Sequence, residues 1–281
     1  MRLTHTTALT ASLAAITLAA TGCGLAKDDS AVGEKNGDIT TLTVGTSVTP
    51  HGDIFRFIDE NLAKDAGLDI EVKEFTDYSL PNRALADGEL DANYFQHIPY
   101  LESEIEGQGY KLHHFEPGVH LEPFALYSNS VDDVAKLPDG ATIGINNDPA
   151  NQGRALKLLA DNGLISLGDA DPITATVHDV AENPHKFEFI EAEAASLART
   201  LDDTDASVIN GNNALNAGLS SKKDGILVES PEKNPYANIL VVREGTQDDP
   251  AIKKLHELTQ SQEVKDFIEQ TWPNGEVIPA S

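Results

Sequence analysis

Three stretches of this chain hold side chains that suit recognition of a small polar molecule. The first is Asp77-Tyr78-Ser79-Leu80-Pro81-Asn82 with Asp91-Ala-Asn-Tyr-Phe-Gln-His-Ile-Pro-Tyr100. It gathers Tyr78, Tyr94, Phe95, His97 and Tyr100 in a sequence only 6% aromatic. Rings at strand ends can wall an apolar slot, and the same rings would serve equally as ordinary core. The second is Asn146-Asn-Asp-Pro-Ala-Asn-Gln-Gly-Arg154, which joins a strand to the start of a helix. Backbone N–H groups at a helix start favour an anion. Arg154 in the first turns could add a bidentate grip on a carboxylate, or simply pair with one of many acids. The third is a supply of asparagines: Asn210 and Asn212 after a strand ending at Ile209, and Asn238 in Asn-Pro-Tyr-Ala-Asn. A side-chain amide oxygen can accept from an ammonium without adding charge, although asparagine is also a turn residue. A cation grip, amide acceptors and an apolar slot together suit a zwitterionic amino acid with an uncharged side chain.

Metal binding is the competing chemistry. His97, His113, His114 and His120 fall within 24 positions, with Glu116 and Glu122 nearby. Imidazole and carboxylate could form a zinc site there. Against it, His113 and His114 would point to opposite faces of a strand, and no H-x-H or H-x₃-H spacing occurs. Scattered strand histidines are the plainer reading, so no metal is expected. Catalysis has less to rest on. The chain lacks G-x-S-x-G, H-E-x-x-H, Walker and G-x-G-x-x-G patterns, and no carboxylate pair stands out from the acidic background. The expectation is a binding protein without cofactor, not an enzyme.

The elements that must position these residues alternate. Thr41–Thr46, Ile70–Phe75, Ala92–Phe95, Tyr110–Phe115 and Leu121–Tyr127 read as strands, separated by helical stretches at His51–Asp65, around Arg83–Ala86 and at Pro99–Glu106. A second series has strands at Ala141–Ile145, Phe187–Ile190, Ala206–Ile209, Ile226–Val228 and Asn238–Arg243. Helices are expected at Ala150–Asp161, Ala194–Leu201, Ala214–Leu219 and in one long run from about Pro250 to Gln270. Such alternation predicts an α/β protein with largely parallel sheets, in two lobes with the binding site in the cleft between them. With 281 residues and 40% hydrophobic content there is ample material for a core. A net charge of −26, without a basic stripe, argues against a nucleic-acid partner.

The chain starts with an address. Residues 1–22 hold one basic residue, Arg2, then an apolar stretch from Ala8 to Ala20 too short to span a bilayer. This pattern predicts a secretory signal peptide. Cys23, the sole cysteine, follows at the processing point, as in the lipobox of bacterial lipoproteins. The expectation is acylation there, with chains such as palmitate tethering the protein to the outer face of the cytoplasmic membrane. Residues 23–40 read as a flexible tether.

At these motifs the chain resembles the methionine-binding lipoproteins of the MetQ/NlpA family, extracytoplasmic receptors of ABC importers. The resemblance runs from about Leu42 to Ile278. It is carried by Asp91–Leu101, Asn147–Leu156, Ile209-Asn-Gly-Asn212 and Asn234-Pro-Tyr-Ala-Asn238. It implies a type II periplasmic-binding-protein fold, with lobe 1 formed by residues 41–126 plus 235–281 and lobe 2 by 127–234. Crossings between lobes are expected near Phe124–Asn129 and Ser230–Asn238. It further implies that Arg154 holds a ligand carboxylate, that Asn151, Asn210 and Asn238 give polar contacts, and that Tyr78, Phe95, His97 and Tyr100 line a side-chain slot. The implied ligand is methionine as the L or D form or within a dipeptide; the implied partners are permease and ATPase subunits on separate chains. After Asn212 the family usually has an aromatic residue, commonly Tyr; here it is Asn213. Alternatives on the same scaffold are a receptor for another small solute or a divalent metal, and a surface adhesin.

Overall fold

The computed structural model describes residues 32–280; the signal peptide and Cys23 lie outside them. The described chain opens with a hairpin in which β1 (Glu34–Asn36) pairs antiparallel with β2 (Ile39–Ser47). Gly37 makes the turn at φ +65°, a conformation open to glycine, and Asn36-Gly37 is a hairpin signal. Val32 is buried, and the Gly33 N–H donates to Asp91. Residues 32–40, read from sequence as tether, therefore belong to the folded body.

From β2 the chain runs through a helical stretch containing α1 (Asp53–Ile58) to β3 (Leu68–Phe75), α2 (Ser79–Ala86), β4 (Ala92–His97) and α3 (Ile98–Gln108). The short strands β5 (Leu112–His114) and β6 (His120–Leu121) follow. Then come β7 (Ala125–Tyr127), β8 (Thr142–Asn146), α4 (Pro149–Asp161) and β9 (Glu188–Ala192). The middle of the chain ends with α5 (Leu197–Thr200), β10 (Ala206–Ile209), α6 (Gly211–Asn216) and β11 (Gly225–Val228). The last elements are β12 (Asn238–Arg243), α7 (Pro250–Thr259), α8 (Gln262–Thr271) and β13 (Ile278–Pro279).

Two sheets result. In the first, β2 pairs in parallel with β3 and β4, β4 pairs antiparallel with β12, and β12 pairs antiparallel with β5 and β6. The second has the order β9-β8-β10-β7-β11, with β8 parallel to both neighbours and β7 antiparallel to both of its own. Each sheet is thus a parallel trio beside a strand that runs the other way, so the sheets are mixed and not largely parallel. The reason is connectivity: β7 and β12 are the strands that arrive from the opposite sheet, and neither has a crossover helix to reverse it.

Two long runs expected from the sequence are split. The segment 121–127 is no single strand, because Glu122-Pro123 interrupts it and proline cannot donate to a ladder. β6 accordingly lies in the first sheet and β7 in the second. The C-terminal helix breaks at Gln260, and Ser261 restarts it as α8 by accepting from the Val264 N–H at 3.3 Å.

Each sheet has its own core. Ile54, Phe55 and Ile58 of α1 pack with Ile252 and Leu255 of α7, and with Val264 and Ile268 of α8, over the first sheet. Each of these side chains contributes about 1.5–3 kcal/mol by leaving water. Leu156, Leu158 and Leu159 of α4 do the same on the second sheet with Ile143, Ile145 and Val208. Among the described residues no helix is long and apolar enough to cross a membrane.

Candidate functional site

The strands of the two parallel trios end facing a common space. In open α/β sheets, ligands sit outside the carboxyl ends of strands, and here those ends supply most of the wall. His51 follows β2, and Phe95, Gln96 and His97 end β4. Tyr100 lies in the first turn of α3, Asn151 and Arg154 in the first turns of α4, and Asn210 caps α6 after β10. Together with Tyr78, Glu122, Phe124, Gly211, Asn212 and Asn238 they line one shared cavity. The eight side chains that the resemblance implied for the site — Tyr78, Phe95, His97, Tyr100, Asn151, Arg154, Asn210 and Asn238 — border this one space with Asn212, whereas Tyr94 of the same aromatic group turns into the first core.

One wall is aromatic. The rings of Tyr78, Phe95 and Tyr100 form a triangle with centroids 5.8–6.0 Å apart, and Ala150 of α4 closes against them from the other sheet. His97 caps α3: its Nδ1 accepts from the Tyr100 N–H at 3.2 Å. Its Nε2 must then carry the proton and donate to Asn151 Oδ1 at 3.1 Å. Burial, with Arg154 nearby, lowers the pKa of this imidazole to about 3, so it is neutral. Tyr78 also reaches across, its hydroxyl donating to Asn212 Oδ1 at 2.5 Å and accepting from Asn213 Nδ2 at 3.2 Å. Asn213, where an aromatic was expected, thus joins a polar contact between the two sides.

The other wall carries the charge. Arg154 is 3% exposed, and a cation so buried needs a partner. Glu229 supplies it, accepting from Nε at 2.9 Å and from Nη2 at 2.6 Å. Nη2 also donates to the Glu122 main-chain carbonyl at 2.8 Å. The guanidinium lies between the rings of Phe124 and Tyr236, 3.8 and 4.3 Å from their centroids. The bidentate grip expected for a ligand is therefore taken up inside the protein, and Nη1 is the part of the fork outside these bonds. The residues around it belong to both segments that link the sheets, Glu122 and Phe124 to one and Glu229 and Tyr236 to the other, so α4 is tied to both crossings at a single point.

The asparagines are bonded to one another and to their neighbours. Asn151 Oδ1 accepts from His97 and from Asn210 Nδ2, Asn210 Oδ1 accepts from Asn146, and Asn238 Oδ1 accepts from His51 Nε2 at 3.0 Å.

A buried trio completes the lining. His120 Nδ1 is bonded to the Tyr94 hydroxyl, which has no other acceptor among the described residues, so His120 Nε2–H donates to Glu122 Oε1 at 2.7 Å. His51 Nε2 lies 3.3 Å from the same oxygen. Burial lowers His51 to about 4 and His120 to about 3, and raises Glu122. The potential ligand atoms of His51, His120 and Glu122 lie within 4.8 Å of one another, close enough to hold a metal ion. The sequence had grouped His120 with His97, His113 and His114 for that purpose. Instead His97 is used by Asn151 and Tyr100, His114 lies 3.5 Å from Glu116, and His120 joins His51. Nothing in the sequence pairs two histidines 69 positions apart.

Comparison with known proteins follows the same lines. The family model described as NlpA lipoprotein matches residues 42–281. The Methionine-binding lipoprotein MetQ of Bacillus subtilis is 45% identical over 244 residues, covering 85% of this chain and 88% of that one. The D-methionine-binding lipoprotein MetQ of Escherichia coli K12 is 39% identical, covering 92% and 93%. A nutrient binding protein from Burkholderia cenocepacia, solved bound to methionine, superposes with a TM-score of 0.80 at 41% identity, covering 85% of this chain and all of that one.

Proposed function

The chain belongs to the NlpA lipoprotein family, and from that premise we propose that it is an extracytoplasmic solute-binding protein that captures methionine, as the L or D form or in a short peptide, for an ABC importer. One observation carries the reading: a cavity bordered by both sheets has a buried arginine at one end and a box of three rings at the other. An α-amino acid with an uncharged, polarisable tail matches both ends, since thioether sulfur packs well against aromatic edges.

In this reading Nη1 of Arg154 takes a carboxylate oxygen, and the amide groups of Asn151, Asn210 and Asn238 surround the polar end. Tyr78, Phe95, His97 and Tyr100 receive the tail. Lobe 1 is built on the first sheet, with β1 to β6, β12 and β13, and lobe 2 on the second, with β7 to β11, so the boundary expected at 126–127 moves to the turn before β7; the ligand favours the closed state because it touches both. Acylation at Cys23 tethers the body to the outer face of the membrane, while permease and ATPase are separate chains. The residues at the cavity serve binding, with no catalytic step assigned to them.

The test is titration calorimetry of protein freed of copurified ligand by unfolding and refolding, against L-methionine, D-methionine, a methionine dipeptide and zinc. Heat from a methionine form that disappears in Arg154→Ala supports the assignment. The distances among His51, His120 and Glu122 favour a second reading, a divalent-metal receptor; zinc heat surviving Arg154→Ala with none from methionine would select it.

A further inference from the structure

We propose that Glu276 is a positioning residue for ligand capture: by holding Ser220 it ties the loop after α6 to the first lobe and favours the closed arrangement, without touching the ligand. The proposal rests on the solute-binding reading and adds to it a control remote from the cavity. Three features of the structure lead there.

The first is the way the sheets are joined. The chain crosses between them at residues 122–124 and 229–237, and the two segments lie side by side. The Glu229 N–H donates to the Phe124 carbonyl at 2.8 Å, and the Phe124 N–H donates to Glu229 Oε2 at 3.1 Å. Two adjacent crossings act as a hinge. Lobes joined in this way can turn about one line, so contacts between them away from that line decide which angle is preferred.

The second is a bridge built at the end of α6. Leu215 packs against the core of the first sheet, whereas Leu219 packs against Tyr127 and Ile209 on the second. One residue further on, Ser220 Oγ donates to Glu276 Oε1 at 2.7 Å. Glu276 belongs to the first lobe: it leads into β13, which pairs with β6, and its neighbour Val277 is buried in the first core. Gly275 turns at φ +83° beside Lys222, so near that a Cβ there would stand 3.7 Å from Lys222 Cε. Glu276 and Ser220 both lie outside the cavity lining.

The third is the state of the Glu276 carboxylate. Glu276 is 8% exposed, and burial by itself would raise its pKa. Hydrogen bonds from Ser220, its own main chain and Asn274, with Lys222 nearby, hold it below the usual value instead. An ionised acceptor makes a stronger hydrogen bond than a neutral one. Ser220 is the donor that the second lobe brings to it, and turning the lobes apart breaks that bond. The bond is present together with the packing of Ala150 on Phe95 and Tyr100, so it belongs to the closed arrangement.

The experiment measures methionine binding by calorimetry and the ligand-free distance between lobes by spin labels at Leu80→Cys and Glu193→Cys, exposed positions on opposite lobes. The mature chain carries Cys23→Ser, so that the labels take the only thiols. Ser220→Ala should weaken methionine binding about 10-fold, the scale of one hydrogen bond to a charged group, or lengthen the ligand-free distance, because apparent affinity follows the population of the competent state. Ser220→Thr keeps the hydroxyl and should behave as wild type. Adding Glu276→Gln to Ser220→Ala should change Kd by less than about twofold, since the bond is already gone; additive losses overturn the proposal. Unchanged Kd and unchanged distance in Ser220→Ala overturn it even if Tm falls, since that marks a bond of purely structural value. Tighter binding overturns it as well, because the contact then belongs to the open arrangement. If wild-type protein binds no amino acid, the solute-binding reading falls separately; the ligand-free distance still judges the tie, a longer one in Ser220→Ala supporting it and an equal one overturning it.

Discussion

Removing the Arg154 side chain should damage stability and binding by separable amounts. Its ion pair with Glu229 is buried on both sides, with side chains 4% and 12% exposed. Arg154→Met leaves the Glu229 carboxylate in place without its cation, which costs about 3–5 kcal/mol. Methionine keeps some contact with Phe124 and Tyr236 through its sulfur, so loss of cation–π attraction adds little beyond that. For a body of this size, 1 kcal/mol corresponds to about 2–4 °C in Tm, which puts the expected drop at about 6–20 °C in ligand-free protein. The double variant Arg154→Met/Glu229→Gln removes both charges and should recover most of the loss, because a pair replaced by neutral groups of similar volume is often tolerated. Binding should not recover: both variants should bind methionine about 2–5 kcal/mol more weakly than wild type by calorimetry. Scanning calorimetry and titration of the same three proteins make the comparison. A double variant that regains stability and binds methionine with an unchanged Kd would show that Arg154 holds the crossings together and never touches the ligand.

Three further perturbations follow from the same geometry. Tyr78→Phe deletes the bonds to Asn212 and Asn213 across the cavity; at about 0.5–1.5 kcal/mol each, methionine affinity should fall roughly 5- to 150-fold with little change in ligand-free Tm, and an unchanged Kd would remove those bonds from the closing contacts. His51, His97 and His120 are neutral in the folded state, with pKa lowered to about 4, 3 and 3, whereas the unfolded chain protonates near 6.5. The stability they contribute is therefore complete above pH 6.5 and falls as pH drops toward 4, by up to about 4 kcal/mol per pH unit for three protons. Glu122 and Asp148, raised by burial, act in the opposite sense by taking protons first in the folded state; a Tm that stays flat from pH 7 to pH 5 would contradict the assignment of neutral, buried imidazoles. Ser261→Ala removes the cap of α8 and should cost about 0.5–2 kcal/mol, and an unaltered denaturation midpoint would mean that the break between α7 and α8 is fixed by packing alone.

Much of this architecture was legible because its signals are local. Alternation marked the strands at 41–46 and 238–243, and Pro250 marked the start of α7. Aromatic residues at the end of β4 marked the ring box, because a strand that ends in Tyr-Phe-Gln-His needs somewhere to put those rings. What the sequence concealed depends on partners far apart in the chain. Glu122 looks like one acid among 46; only the meeting of β6 with the turn before α1 and with Gly211 gives it two histidines and a backbone N–H. Arg154 could be placed on a helix start, but Glu229 lies 75 residues away, and no spacing rule joins them. The break at Glu122-Pro123 was readable in principle, since proline interrupts a ladder, yet the apolar residues on both sides masked it. The hairpin at Asn36-Gly37 was masked in the same way by the polar composition of β1, all three of whose residues are exposed.

The two ends of the cavity have unequal consequences for closing. Arg154, Asn151 and Asn210 are carried by α4 and the start of α6, on the second sheet, whereas Phe95, His97 and Tyr100 are carried by β4 and α3 on the first. A ligand held by Arg154 alone would gain that contact whether or not the sheets approach, and equal affinity for two states shifts neither. Discrimination has to come from contacts that exist only when the ring box meets α4, as Ala150 does with Phe95 and Tyr100. In the proposed binding mode the tail therefore adds closing free energy to what the polar end would draw from Asn238 on the first sheet and from Asn151 and Asn210 on the second. The bonds from Tyr78 to Asn212 and from His97 to Asn151 join the same two sides, and they reduce what the tail must provide. It follows that alanine, which offers the same charged groups and almost no tail, should bind weakly and leave the lobes apart, while any side chain long enough to reach the three rings should both bind and close them.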